Sequence, residues 1–309
     1  MISYQKNGFE FTAIDYPFYV LDAIQIRTDI HSVEKYVDFI NKHEISKAYV
    51  ISDNLGFITS CPSLKQLKIH PNYLSDKSFD FSPLYKHPQI KQLNCVNVVN
   101  NKYIIPIDFS QIIGLEDLSF GFNKGCLNFN KIDTLKSMSV GGYVSPQKDL
   151  SDLFCSEKLD TLELRQCSEY SLNGIEASKN LTCLYIYYNR NLEDISALKS
   201  CAETLRTLRI QNCPKIKDFS VLSELKNLEL LELTGSNELP DLNFIEQMPN
   251  LKTFVFNVNV KDGDLSPCLR LSYVYSEKNR KHYNLKDNAL PKGECIRGNE
   301  SIDEWRRLE

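Results

Sequence analysis

This chain of 309 residues lacks an excess of basic charge: 36 Lys and Arg stand against 40 Asp and Glu, a formal net charge of −4 at pH 7. Phosphate contacts supply most nucleic-acid affinity, so a DNA or RNA binder carries a basic stripe that this composition does not provide. No run approaches the roughly 18 apolar residues needed to cross a bilayer. The opening MISYQKNGFEFTAIDYPF has neither the basic start nor the apolar core of a secretory signal. The expectation is a cytoplasmic protein with no membrane partner and no nucleic-acid partner.

Signatures of chemistry are missing as well. GxSxG, HExxH, GxxxxGK[ST] and GxGxxG do not occur, and the five histidines form no acid, base or metal pattern. The ten cysteines are scattered, without the short paired spacings of a disulfide framework or a zinc site, which suits a reducing compartment. These absences predict no enzyme activity, no cofactor and no metal.

What is present is a hydrophobic fraction of 42% against 25% charged residues, enough for a continuous core. Its organisation is plainest between Leu205 and Asn237, where Leu205, Leu208 and Ile210 are followed by Leu228, Leu231 and Leu233 in the same LxxLxL frame. The frame begins at Leu21/Ile24/Ile26 and recurs with middle residues 48, 67, 93, 118, 138, 162, 184, 208, 231, 254 and, at Cys268/Leu271/Tyr273, 271. A unit every 17 to 26 residues is the spacing of leucine-rich repeats, and about 12 such units are expected. In each, the middle and last apolar residues of a strand point inward and their neighbours point out. Two buried aliphatic side chains contribute on the order of 3 to 6 kcal/mol, less than the cost of ordering roughly twenty residues. Each unit must therefore stack on its neighbours.

Two further regularities mark the turns. Five residues past the middle position stand Asn72, Asn123, Cys167, Asn189, Cys213 and Asn259, types able to bond exposed backbone groups at a bend. Then comes Asp-apolar-Ser, as at Asp80-Phe81-Ser82, Asp194-Ile195-Ser196 and Asp218-Phe219-Ser220, with Asp241-Leu242-Asn243 a variant. The apolar member is expected to plug the core and Ser or Asn to cap a short helical turn, with Pro83 and Pro267 next at the first helical position.

Residues 45–275 resemble the short bacterial leucine-rich repeats of the internalin class, whose units read much like DFSVLSELKNLELLELTGSN. The resemblance implies an α/β leucine-rich-repeat solenoid, right-handed, with a curved parallel β-sheet on its concave side and short 3₁₀ or irregular convex segments. In that class the fold goes with protein recognition. The chain departs from secreted internalins in its uneven repeats and in showing no signal segment or wall-sorting tail.

The expected organisation is a capping strand within residues 1–20, alternating at Phe9, Phe11 and Ala13; a solenoid over 21–275; and a C-terminal cap or tail over 276–309. Ser32 is the expected N-cap of a helix with Val33, Tyr36, Val37 and Ile40 on its inner face. Gly141-Gly142 break the strand pattern. A second short helix near Ile302–Leu308 would dock Trp305 and Leu308 on the last repeat.

The outward positions define the candidate site. Glu163, Arg165, Tyr185, Tyr187, Arg209 and Gln211 fall on neighbouring rows, and Tyr and Arg dominate binding hot spots. A monomer binding a partner protein through this concave patch is the reading. Lys47, Tyr49, Gln66, Lys68 and His70 form a second candidate, while Asp117, Ser119, Ser137, Ser139 and Gly141 offer little area. Cys95, Cys167, Cys213 and Cys268 are structural by position; Cys61, Cys155 and Cys201 fill the core; Cys183 points outward and is the best candidate for a reactive thiol. The alternatives are an exported adhesin or carbohydrate binder, and an enzyme using Cys183.

Overall fold

Columns of aliphatic side chains organise the structure, a computed structural model that describes residues 2–14, 22–52, 54–69, 79–95, 106–153 and 156–296. It forms two compact units that divide between Gly141 and Gly142, the glycine pair that interrupts the strand pattern.

In the first unit, β1 (Ile2–Lys6) and β2 (Phe9–Ile14) make an antiparallel hairpin, and β2 pairs antiparallel with β3 (Ala23–Arg27). The turn is Asn7-Gly8, with φ of 52° and 82°, the left-handed pair that a two-residue hairpin demands. The single strand expected near the N-terminus is thus the second arm of a hairpin. Its first arm, ISYQK, holds only two apolar residues and shows little alternation.

Helix α1 (Val33–Lys42) follows β3 and buries Tyr36, Phe39 and Ile40. Val33 and Val37, expected on the inner face, are only half-buried. The hairpin explains the rotation: the Phe9 ring lies 4.2 Å from Phe39 and 5.3 Å from Tyr36, centroid to centroid. Ser32 occupies the N-cap position in an extended conformation but its side chain makes no capping bond to the helix backbone.

From β3 onward the main strands of this unit run parallel, through β4 (Lys47–Ile51), β5 (Gln66–Ile69) and β6 (Gln92–Cys95). The two-residue β7 (Ile107–Asp108) and β9 (Cys126–Leu127) pair with each other, while β8 (Asp117–Gly121) and β10 (Ser137–Gly141) continue the main series. Ile24, Ala48, Leu67, Leu93, Leu118 and Met138 stand opposite one another in register. Each is at most 2% exposed.

The second unit repeats the pattern with β11 (Thr161–Arg165), β12 (Cys183–Tyr187), β13 (Thr207–Gln211) and β14 (Leu230–Thr234). After these, β15 (Glu238–Leu239) and β17 (Asn259–Val260) pair with each other, and β16 (Thr253–Phe256) and β18 (Tyr273–Ser276) extend the main series in parallel. The inner column runs Leu162, Leu184, Leu208, Leu231, Phe254 and Val274.

That column corrects the frame set at Cys268/Leu271/Tyr273. Val274 stands opposite Phe254 and Ser276 opposite Phe256, so Tyr273 takes an outward position. Cys268 belongs instead to a 3₁₀ turn, Ser266–Arg270, which delays the strand by three residues and leaves Leu271 in the leading position.

The Asp-apolar-Ser segments turn the chain as expected, but the capping group is the aspartate. Its Oδ1 accepts the N–H two residues on, at 2.8 Å from Ser82, Ser196, Ser220 and Asn243. A carboxylate accepting a backbone N–H at a helix start is a stronger bond than a hydroxyl makes. The apolar member is buried throughout, as at Phe81, Phe109, Leu150, Ile195 and Leu265. Helix α2 (Ser82–Tyr85) and the 3₁₀ turn at Ser266 carry Pro83 and Pro267 in their first turns.

Two of the ladder asparagines bond backbone as predicted: Asn189 Oδ1 accepts Cys167 N–H at 2.8 Å, and Asn123 Oδ1 accepts Gly125 N–H at 2.7 Å, while Asn259 Nδ2 donates instead to the Glu238 carboxylate at 3.0 Å. Asn237, one position out of frame, was missed. It is 3% exposed and donates to Cys213 O at 2.8 Å and Ile216 O at 2.9 Å. Gly235, at φ 137°, gives this turn a course that L side chains rarely adopt.

Cys61, Cys95, Cys167, Cys201, Cys213 and Cys268 are buried free thiols. Burial pushes Cys61 and Cys213 up to about 11 and Cys268 up to about 12, so they stay protonated. Beyond β18 the repeat frame is lost, yet within the described residues the chain stays packed as far as Ile296. Tyr283, 4% exposed, accepts Val260 N–H and donates to Val258 O, both at 3.1 Å. Residues 291–293 lie antiparallel to β18, through Val274 N–H to Pro291 O and Gly293 N–H to Ser272 O, both 2.9 Å. His70, Asn72, Cys155 and the helix expected at 302–308 lie outside the described residues.

Two outcomes follow for stability. Asn237→Ala strips a donor from two buried carbonyls and is expected to cost about 2 kcal/mol in urea unfolding. Glu169, 1% exposed, has its carboxyl pushed up to about 7 by burial, with the negative charge of Asp149 adding to it. Because the folded value exceeds the ordinary 4.5, its contribution is full below pH 4.5 and is lost as pH rises through about 7. Glu169→Gln is expected to raise unfolding free energy by up to about 3 kcal/mol near pH 8.5 and to change it little near pH 4.5, as read by urea denaturation at both values.

Candidate functional site

All six residues singled out on the second unit come together, because strand register leaves them no other place. Glu163, Tyr185, Arg209 and Glu232 stand side by side along one row, and Arg165, Tyr187, Gln211 and Thr234 along the next. Inward partners on the same strands are the leucines of the core columns, so alternation alone turns these side chains to the opposite face.

Their exposure differs from the expectation of an open patch. Tyr185 is 0% exposed, Glu163 2%, Arg209 3% and Tyr187 7%, while Arg165 and Gln211 are half-buried. The side chains lie across one another rather than standing out. The Arg209 guanidinium is 5.5 Å from the Tyr185 ring centroid, and that of Arg165 is 5.5 Å from the Tyr187 centroid. The two tyrosine rings are stacked, 6.3 Å apart and 15° from parallel.

Buried charge must be compensated, and here each charge finds its opposite nearby. Arg165 Nε donates to Glu163 Oε1 at 2.8 Å, and Arg209 Nε lies 3.6 Å from Glu232 Oε2. Removing one partner of such a pair would strand the other without solvent. Sequence alone supplied the residues but not the pairing of Arg209 with Glu232, which needs the neighbouring strand.

At the entrance to the strands, Asp160, Thr161, Thr182, Cys183, Arg206, Thr207, Glu229 and Ile296 line a shallow cleft of about 460 Å³. The chain returns there from its C-terminal end, with Ile296 N–H donating to Thr253 Oγ1 at 2.9 Å. Ile296, Arg206 and Glu229 were not anticipated. Ile296 lies outside the repeats, and the two charged residues precede the strands, where alternation gives no orientation. Cys183 is half-buried at this margin, 3.7 Å from the Thr182 hydroxyl.

In the first unit, Tyr49 and Lys68 of the second candidate group are buried, at 4% and 5% exposed, with the Lys68 ammonium 5.0 Å from the Tyr49 ring centroid. Lys47 and Gln66 are half-buried. Asp117, Ser119, Ser137, Ser139 and Gly141 do form a shallow small-residue stretch, with Ser119 4% exposed and Ser139 9%. Among the described residues no group of three or more His, Cys, Asp or Glu could hold a metal ion, and no helix is long and apolar enough to cross a membrane.

No family model matches the chain, and no curated protein matches it. Solved structures do. An internalin, InlF, of Listeria monocytogenes is 16% identical with a TM-score of 0.52, covering 77% of this chain and 73% of its own. The functional domain of InlJ from the same organism is 17% identical, TM-score 0.49, and the match covers 73% of this chain but 46% of that one. A leucine-rich-repeat protein of Leptospira interrogans is 16% identical, TM-score 0.49, with 87% and 66% covered. With the registered leucine columns and the turn chemistry, the likeness to InlF shows a leucine-rich-repeat fold.

Proposed function

We propose that this protein is a non-enzymatic interaction module that binds a partner protein through the outward face of β11–β14. The observation that carries the reading is the gathering of Glu163, Arg165, Tyr185, Tyr187, Arg209 and Gln211 into two adjoining rows. Tyrosine and arginine contribute large contact area and directional bonding to protein interfaces. Here they are held in place by one another, so less side-chain entropy is lost on binding than for free rotors. The internalin-like fold agrees with a recognition role.

Arg165, Gln211 and the edge of Tyr187 are the accessible members, and they are expected to make first contact.

The test compares capture of interacting proteins from the source cells by the intact chain and by a chain carrying Arg165→Ala and Tyr187→Ala. A partner held by the intact chain is expected to lose at least tenfold in affinity to the double variant, in titrations with the purified partner. Lys199→Ala, at an exposed ion pair with Glu224 in the 3₁₀ turns that connect these strands rather than on their outward face, is expected to leave binding unchanged. Equal affinity of the intact and doubly substituted chains sinks the reading.

A further inference from the structure

Just past the last strand the sign of charge reverses. A chain of net charge −4 sets Lys278, Arg280, Lys281 and Lys286 within residues 276–287, against Glu277 and Asp287. Two of these six are engaged in the cap itself: the Lys286 ammonium donates to Arg280 O at 2.7 Å, and Asp287 pairs with Lys292 at 2.7 Å. Lys278 and Arg280 instead border an open cleft of about 520 Å³ beyond the ends of β13, β14, β16 and β18. Asn212 and Gly235, which also line it, directly follow Gln211 and Thr234. The cleft therefore adjoins the outward face of β11–β14.

Which of its groups are open decides what the cleft can hold. Its amides are mostly spent. Asn237 donates to Cys213 O and Ile216 O, and Asn259 Nδ2 donates to Glu238 at 3.0 Å. Asn257 Oδ1 accepts Gly235 N–H at 2.6 Å, while its Nδ2 donates to the Glu277 carboxylate at 2.5 Å. Glu238 is further held by Lys261, 3.1 Å away. A neutral saccharide, whose hydroxyls each need a donor and an acceptor, finds few left. The cations are what remains. Lys278 is exposed, and among the described residues nothing bonds its ammonium. Arg280 spends one terminal nitrogen on Asn257 O at 3.1 Å, and its buried Nε has no partner, so the guanidinium is incompletely bonded where it lies. The Ser236 hydroxyl and the Asn212 side-chain amide line the same cleft, exposed and unbonded among the described residues.

An ammonium beside a guanidinium suits a carboxylate, which a guanidinium grips through two parallel bonds. Glu238 and Glu277 stand close by, and their repulsion favours a singly charged carboxylate over a doubly charged phosphate. We propose that this cleft seats acidic side chains of the partner protein, with Lys278 and Arg280 taking their charge and Ser236 and Asn212 donating to their remaining oxygens. The proposal rests on the reading of β11–β14 as the partner site and names the chemistry of what binds at its margin. Arg165 and Gln211 meet the body of the partner, and the cations steer its acidic segment onto the strand ends.

The probe is fluorescein-labelled hexaglutamate, titrated into the full chain and followed by anisotropy. Binding is expected in dilute buffer and to weaken as salt screens the charges, with hexaglutamine left unbound. Lys278→Glu is expected to weaken hexaglutamate binding by about tenfold while the circular dichroism spectrum is retained. Should that reversal disturb folding, Lys278→Ala, which removes only an exposed ammonium, is expected to weaken binding in the same direction. Lys199→Ala is expected to bind as the intact chain does. No binding of hexaglutamate, equal binding of hexaglutamine, or equal affinity of the intact and Lys278→Glu chains overturns the proposal. Tighter binding of a glucuronate oligosaccharide or of inorganic phosphate than of hexaglutamate overturns it as well. A partner lost to Arg165→Ala, Tyr187→Ala but held unchanged by Lys278→Glu defeats only the cleft. A partner held unchanged by that double variant but weakened by Lys278→Glu defeats only the face.

Discussion

Every element of this protein depends on the stacking of one strand against the next. A repeat of roughly twenty residues buries too little apolar area to fold alone, so its inward pair becomes core only when another pair lies against it. Leu184, Leu208 and Leu231 are each 0% exposed because each has such a neighbour on both sides. The ends need different chemistry. The first unit closes its open column with a hairpin that brings Phe9 and Phe11 onto Phe39, and the second folds Tyr283 and residues 291–293 over its last strand.

Stacking at this spacing also fixes what the turns must do. Backbone groups that leave the sheet need partners, and they find them in the next turn: Asn189 accepts from Cys167, and Asn237 donates to Cys213 and Ile216. At the opposite bend the aspartate before each apolar plug holds the N–H two residues on. The turns are thereby tied across repeats as well as within them. Connections can vary in length without breaking the columns, which accounts for the uneven spacing of the repeats.

On the outward face the same spacing acts on polar side chains. Rows so close force Arg165 and Arg209 to lie over Tyr187 and Tyr185, and their charges to pair with Glu163 and Glu232. The result is a face whose members hold each other in place. Such a surface resists rearrangement.

Much of this was legible in the residues. Alternation and a three-residue spacing placed the leucine columns and assigned Glu163, Tyr185 and Arg209 to the opposite face, because a strand turns successive side chains to opposite sides whatever surrounds it. The hairpin's first arm, the rotation of α1 toward Phe39, the capping role of aspartate and the shift of the last frame to Val274 were not legible, since each is settled by a packing partner or a turn course that leaves no period in the sequence. The burial of Glu163, Tyr185, Tyr187 and Arg209 belongs with these: alternation gives the side on which a residue stands, and only the tertiary structure decides what lies beside it.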